Sequence, residues 1–280
     1  MVAQAPLQVR TLTPTFFRHF CPKVPLEPPP DYEAATEKSG QPAPGSRPRG
    51  PLPFKLPALD SLKGKRVILA SASPRRKQLL AQIGLTDVEI IPSGAPEDFP
   101  KSLSPFEYVL RTAESKAMAV YEKEIDSPKG AMSILISADT IVLSPIGSTI
   151  LEKPRSEKHH IDMLQGLRNA GAHKVYTAVV CMSPRDDAVS PGYRIETHVE
   201  ETTVRFDSSI TDDLILAYVK TREGSQLAGG YGIQGLGAIL VDGIDGDFYN
   251  VVGLPIKSTL QLIEKVMSPS DEELELEEEE

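Results

Sequence analysis

Two adjacent arginines, Arg75 and Arg76, stand in the first turn of a helix that the sequence predicts, within Ser71-Ala72-Ser73-Pro74-Arg75-Arg76. Ser73 reads as the N-cap and Pro74 as the first helical residue, where a missing N–H costs nothing. Free N–H groups and the positive dipole end already favour an anion at such a terminus. Cations placed there oppose helix stability, and they make sense where a polyanion binds. The plain alternative is a surface helix start with two solvated arginines.

Further chemistry-bearing residues follow along the chain. Asp139 is expected where the apolar run Ser133–Ile136 ends in Ser137-Ala138-Asp139-Thr140. Carboxylates at strand ends facing a crevice serve as metal ligands or general bases, and they also serve simply to start turns. Glu97 and Asp98 lie in a proline-bounded loop, and either suits a hard cation such as Mg²⁺ or Mn²⁺ shared with Asp139 and phosphate oxygens. Lys153 precedes Pro154, which holds its backbone extended, so it is placed for a point-charge phosphate contact. Lys116 sits within Glu114-Ser115-Lys116-Ala117 of a predicted helix, where a plain surface role is the simplest reading. Gly230-Tyr231-Gly232-Ile233-Gln234-Gly235 contains a formal G-x-G-x-x-G. It precedes a strand rather than a helix, which argues against a dinucleotide fingerprint. Such glycines still allow close approach of backbone to a ligand, with Gln234 projecting. Asp242, Asp245 and Asp247 lack the spacing of an EF-hand loop.

The elements that must position these residues are legible in the same stretch. Residues 66–70 read as a strand and 74–83 as a helix closed by Gly84. Val88–Ile91 reads as a second strand. Ser104-Pro105-Phe106-Glu107 combines a capping box with proline at the first helical position, which predicts a helix to about Glu124. Ile141-Val142-Leu143 is a candidate continuation of the strand at 133–136. Ser156–Asn169 reads as a helix stopped by Gly171. His173–Met182 and Tyr193–Phe206 read as two long strands, and Thr211 caps a helix to about Lys220. Ala238–Val241 is expected as a strand, and Pro255 opens a final helix to Met267. Strands alternating with helices, plus one long hairpin, predict a single α/β domain on a mixed sheet flanked by helices.

Composition bounds the domain. Residues 1–60 hold 13 of the 25 prolines and are expected to form a disordered arm. The last ten residues carry eight carboxylates and read as an acidic, solvated tail. The expected domain therefore spans 61–269, with a tail at 270–280. The net charge is −9, and most of it belongs to the tail. The domain has no basic field for duplex nucleic acid, so an anion must be met by local arginines and lysines. Cys21 and Cys181 are the only cysteines, which excludes a disulfide framework. No apolar run reaches membrane-spanning length. Arg10, Arg18 and Lys23 precede the first acid at Glu27, as in a transit peptide, yet prolines interrupt any amphipathic helix there. A cytoplasmic protein is expected.

The order of these pieces resembles the Maf-like nucleoside triphosphate pyrophosphatases. The matching residues are Ser71-Ala72-Ser73-Pro74-Arg75-Arg76, Glu97, Lys116-Ala117 and Ser137-Ala138-Asp139-Thr140-Ile141-Val142. Lys153-Pro154, His173-Lys174-Val175-Tyr176-Thr177, Gly230–Gly235 and Asn250–Pro255 follow. The resemblance covers roughly 66 to 267. It implies an elongated, twisted mixed sheet akin to the inosine triphosphatase fold, and divalent-metal-dependent hydrolysis of a nucleoside triphosphate to monophosphate and pyrophosphate. It implies Asp139 as the catalytic acid, activating water or holding the metal, with Glu97 assisting the metal. It places Lys153, Ser73, Arg75 and Arg76 at the triphosphate and Lys116 at the substrate. Arg75, Thr140 and Gln234 match the branch acting on dTTP and UTP, for which a nucleotide-pool sanitising role follows. An amide pairs naturally with the donor–acceptor edge of a pyrimidine.

Three departures from the family pattern stand out. Leu227 replaces a lysine, Glu152 replaces a glycine before Lys-Pro, and Pro145–Ile150 is longer than the common turn. The alternative they suggest is a catalytically weak nucleotide-binding module acting through partners of the tails. A homodimer is compatible with the sequence.

Overall fold

A computed structural model describes residues 56–96, 99–100, 102–145, 149–185 and 192–268. Seven strands form one mixed sheet: β1 (Arg66–Leu69), β2 (Val88–Ile90), β3 (Met132–Leu143), β4 (Ile150–Leu151), β5 (Ala172–Pro184), β6 (Tyr193–Phe206) and β7 (Val241–Asp245). The order across the sheet is β2-β1-β3-β5-β6-β7, with β4 also against β3. β1 runs parallel to both β2 and β3, and the other pairings are antiparallel. The helices are α1 (Pro57–Ser61), α2 (Pro74–Gln82), α3 (Pro105–Glu124), α4 (Glu157–Ala170), α5 (Asp212–Lys220), α6 (Phe248–Val252) and α7 (Ile256–Met267). The mixed, helix-flanked sheet is the expected fold class.

Helix starts follow the local chemistry. Ser73, Ser104, Ser156 and Thr211 each accept a backbone N–H at an N-cap, and Ser104 with Glu107 completes a capping box. Gly171 ends α4 at φ +77°, a conformation that side chains with a Cβ resist.

Alternation along β3 then sorts the core. Ile134, Ile136 and Ala138 pack with Leu79, Leu80, Leu262 and Ile263 of α2 and α7. Leu135 and Ile141 pack with Val109, Ala113, Ala117 and Val120 of α3. A third apolar cluster joins α4 and α5 to the β5–β6 hairpin through Leu164, Leu167, Val204, Phe206 and Ile215.

Three findings differ from the sequence expectations. Asp139 does not end a strand, because β3 continues through it to Leu143. What ends there is the neighbour: β1 pairs with β3 only as far as Ile136, and β4 takes up the same edge at Val142. Residues 137–141 thus form a window on that edge, flanked by β1 and β4 and backed by β5. Residues Ala238–Leu240, expected to open a strand, belong to a short 3₁₀ segment, Leu236–Leu240, and β7 begins only at Val241. The close approach of Gly237 to the backbone of Gly232 favours this tight winding. Finally, Pro57–Asp60, expected at the end of the proline-rich arm, belong to α1 (Pro57–Ser61), whose Leu59 is buried with Leu62 against the α7 side of the core.

Candidate active site

The window on β3 opens into a cleft of about 810 Å³ at the carboxyl end of the parallel strands. Every candidate site residue that the structure describes lines it: Ser73, Arg75, Arg76, Lys116, Asp139, Thr140, Lys153 and Gln234. Glu97, the expected metal-assisting carboxylate, and its neighbour Asp98 lie outside the described residues.

Residues 71–73 carry the chain from the end of β1 into α2, so Ser71, Ser73 and the two arginines reach the cleft together. The arginines differ in what they do. Arg76 Nε donates to Gly253 O at 2.8 Å, Nη1 to Ser71 Oγ at 2.9 Å and Nη2 to Thr140 Oγ1 at 3.0 Å. One guanidinium thereby ties the start of α2, strand β3 and the end of α6 into a single wall. Arg75 makes no side-chain hydrogen bond among the described residues. Burial pulls its guanidinium below the usual range, opposed by Tyr218 and Glu223. A half-buried cation with no hydrogen-bonding anion is suited to a phosphate.

Asp139 and Thr140 are adjacent on β3 and therefore project to opposite faces. On one face Lys116 Nζ of α3 donates to Asp139 Oδ1 at 2.7 Å, with both side chains only 12% exposed. Lys116 is thus no plain surface lysine. On the other face Thr140 Oγ1 lies 3.0 Å from Thr177 Oγ1, and Thr177 donates to Asn250 O. Asn250 in turn donates to Val175 O and Thr202 Oγ1. This buried network extends the support of Thr140 through β5 and β6 to α6. Lys153 follows β4 and makes no side-chain hydrogen bond among the described residues.

The glycine-rich stretch closes the far wall. Gly235 N donates to Gly232 O, making a turn with Ile233 and Gln234 at its centre. Gln234 is exposed at the cleft, with no side-chain hydrogen bond among the described residues. Leu227 is buried, 8% exposed, and gives this wall an apolar face. Glu152 forms an exposed ion pair with Arg155 at 3.2 Å, which offsets its charge beside Lys153. Sequence reasoning missed Glu223 and Tyr218, whose side chains hold this wall in place. The available signal was Gly235, a residue unable to cap the segment it precedes.

The cleft therefore unites a phosphate-ready helix start, a lysine-paired carboxylate and an exposed amide. A family model, the Maf-like protein, matches residues 66–266. The chain is 52% identical over 216 residues to the dTTP/UTP pyrophosphatase of Schizosaccharomyces pombe, covering 75% of this chain and 87% of that protein. It is 40% identical to the dTTP/UTP pyrophosphatase of Pyrococcus furiosus, covering 71% of this chain and 95% of the relative. The human probable bifunctional dTTP/UTP pyrophosphatase/methyltransferase protein is 39% identical over 227 residues, 78% of this chain and 35% of that longer protein. The family match spans the sheet, the helices from α2 onward and all the cleft residues named above, and the chain belongs to the Maf-like family.

Proposed function

We infer that the chain hydrolyses nucleoside triphosphates, dTTP and UTP foremost, to the monophosphate and pyrophosphate. The observation that carries this reading is the Asp139 carboxylate set in one cleft with Arg75, Lys153 and the amide of Gln234. Relatives named dTTP/UTP pyrophosphatase at 40–52% identity support the same reaction.

In this reading water attacks the α-phosphorus. The bond to the bridging oxygen breaks, pyrophosphate leaves, and the proton lost by water passes to Asp139 or to solvent. Arg75, at the start of α2, and Lys153 neutralise charge on the triphosphate as it builds in the transition state. Arg76 holds Thr140 and the Gly253 carbonyl so that the phosphate wall does not move. Gln234 meets the base at the opposite wall, where its paired donor and acceptor suit a pyrimidine edge.

A divalent cation fits this site as part of the nucleotide complex. Among the described residues no group of three His, Cys, Asp or Glu side chains is arranged to hold an ion. One carboxylate with substrate phosphate oxygens suffices for Mg²⁺ or Mn²⁺, and Asp139 is that carboxylate, with Glu97 as the proposed helper. The cation would supply charge neutralisation at the phosphates.

The deciding experiment is a panel of nucleotides with Mg²⁺ or Mn²⁺, scored separately for pyrophosphate and orthophosphate. Pyrophosphate release, fastest for dTTP and UTP, is expected. Orthophosphate as first product, or no turnover of any nucleotide, overturns the reading. The regulatory-module alternative predicts binding without turnover, and the paired Asp139 and open Arg75 disfavour it.

A further inference from the structure

We propose that Tyr218 and Glu223 are positioning residues for base recognition, clamping the Gly232–Gly235 turn so that Gln234 is presented to the nucleotide. The inference rests on the reading of Gln234 as the residue that meets the base.

The clamp grips the turn on both sides. Ahead of Gln234, Gly232 N donates to Tyr218 Oη at 3.1 Å. Behind it, Leu236 N donates to Glu223 Oε2 at 2.9 Å and Gly237 N to Glu223 Oε1 at 3.0 Å. Tyr218 Oη itself donates to Glu223 Oε1 at 3.2 Å, which makes the two side chains one unit. The 3₁₀ segment Leu236–Leu240 starts from Gly235, which has no side chain to cap it. Glu223 supplies that cap from 13 positions earlier in the chain.

Sterics narrow the choice further. A Cβ at Gly235 would collide with the Glu223 carboxylate, and one at Gly237 would come within 2.6 Å of Gly232 O. The turn needs its glycines to pack this closely, and free glycines would otherwise leave it conformationally loose. Arg222, directly before Glu223, adopts φ +62°, the left-handed conformation that non-glycine residues disfavour. Such a conformation persists where surrounding contacts over-determine it, and here it aims Glu223 at the turn.

Glu223 is accordingly not placed as a phosphate or metal ligand, since three donors already engage its two oxygens. Arg75 lies within electrostatic reach of both Tyr218 and Glu223. Because Gln234 makes no side-chain hydrogen bond among the described residues, its position is set by the backbone that the clamp holds.

The test is a double-mutant cycle on discrimination, read as the ratio of kcat/KM for UTP to that for GTP. Glu223→Gln leaves one of the two backbone N–H groups facing an amide donor, and it should lower the ratio about tenfold or more, mainly through KM for UTP. In a Gln234→Ala background the same change should cost no further discrimination, because its route is gone. Inhibition by inorganic tripolyphosphate, which has no base, should be unchanged by Glu223→Gln. Tyr218→Phe keeps the ring and should reproduce the effect, and it carries the comparison if Glu223→Gln does not fold.

A loss shared equally by UTP, GTP and tripolyphosphate marks Glu223 as scaffold and overturns the proposal. So does a loss additive with Gln234→Ala. If Gln234→Ala leaves the ratio unchanged while Glu223→Gln lowers it, the reading of Gln234 fails and the proposed route through it fails too. If Gln234→Ala lowers the ratio and neither clamp variant does, only the clamp fails.

Discussion

Lys116 Nζ lies 2.7 Å from Asp139 Oδ1, and both side chains are nearly closed off from solvent. A lysine from α3 thus pairs with the carboxylate that faces the cleft from β3. Each charge offsets the cost of partly burying the other.

Asp139→Asn keeps the shape of the side chain and removes its charge. Turnover should fall about a hundredfold to ten-thousandfold, or further if a metal contact is lost as well. Circular dichroism and melting establish that the variant is folded. Near-normal turnover with normal metal dependence would make Asp139 structural.

Lys116→Met removes the competing cation. The concentration of Mg²⁺ or Mn²⁺ giving half-maximal activity in the presence of nucleotide should fall, because the metal no longer displaces an ammonium. The melting temperature without metal should fall too, since one buried charge loses its partner. A metal titration followed by activity at fixed nucleotide checks the first effect, and an unchanged half-saturation would show that the pair does not compete with the cation.

Arg75→Ala and Arg76→Ala should separate binding from stability. Arg76 makes three hydrogen bonds that join α2, β3 and the end of α6. Its loss should cost about 2–4 kcal/mol and lower the melting temperature by several degrees. Arg75 makes none among the described residues, so its loss should raise KM for the triphosphate and leave melting nearly unchanged. Equal melting losses would contradict this division.

His173 is buried among Phe206 and Tyr231, with Nε2 2.7 Å from Tyr231 Oη and Nδ1 without a hydrogen-bond partner among the described residues. Burial lowers its pKa from 6.5 to about 4. The unfolded chain takes up a proton at this residue near pH 6.5 and the native protein only near pH 4. Stability should therefore be held above about pH 6.5 and decline as the pH falls towards 4, by up to about 3 kcal/mol. His173→Gln should flatten that part of the melting profile. A wild-type slope that survives the substitution must come from other groups.

Truncation tests the start of the domain. Removing residues 1–55 should leave activity and melting nearly unchanged, as expected from their proline-rich composition. Removal through 62 also takes Leu59 and Leu62 from the core and should cost several kcal/mol. Comparable melting of the two truncations would show that α1 contributes nothing.

The sequence by itself determined what depends on near neighbours. Serine or threonine caps, with proline in the first turn of α2 and α3, place helix starts within a residue, because capping is satisfied within one turn of chain. Alternation and length reveal the β5–β6 hairpin for the same reason. The residue types around 73–76, 139, 153 and 234 also disclosed that a phosphate-rich ligand was to be expected. Tertiary structure alone decided how those residues divide the work. Arg75 and Arg76 are neighbours of one type, and the distant Thr140 hydroxyl and Gly253 carbonyl, 64 and 177 positions from Arg76, distinguish the strut from the cation that faces the cleft. Asp139 faces the cleft because β1 stops beside Ile136 and β4 resumes at Val142, which pairing between separate strands sets. Glu223 carries no local mark at all. Its carboxylate matters because folding brings it to two N–H groups that Gly235, lacking a side chain, leaves uncapped.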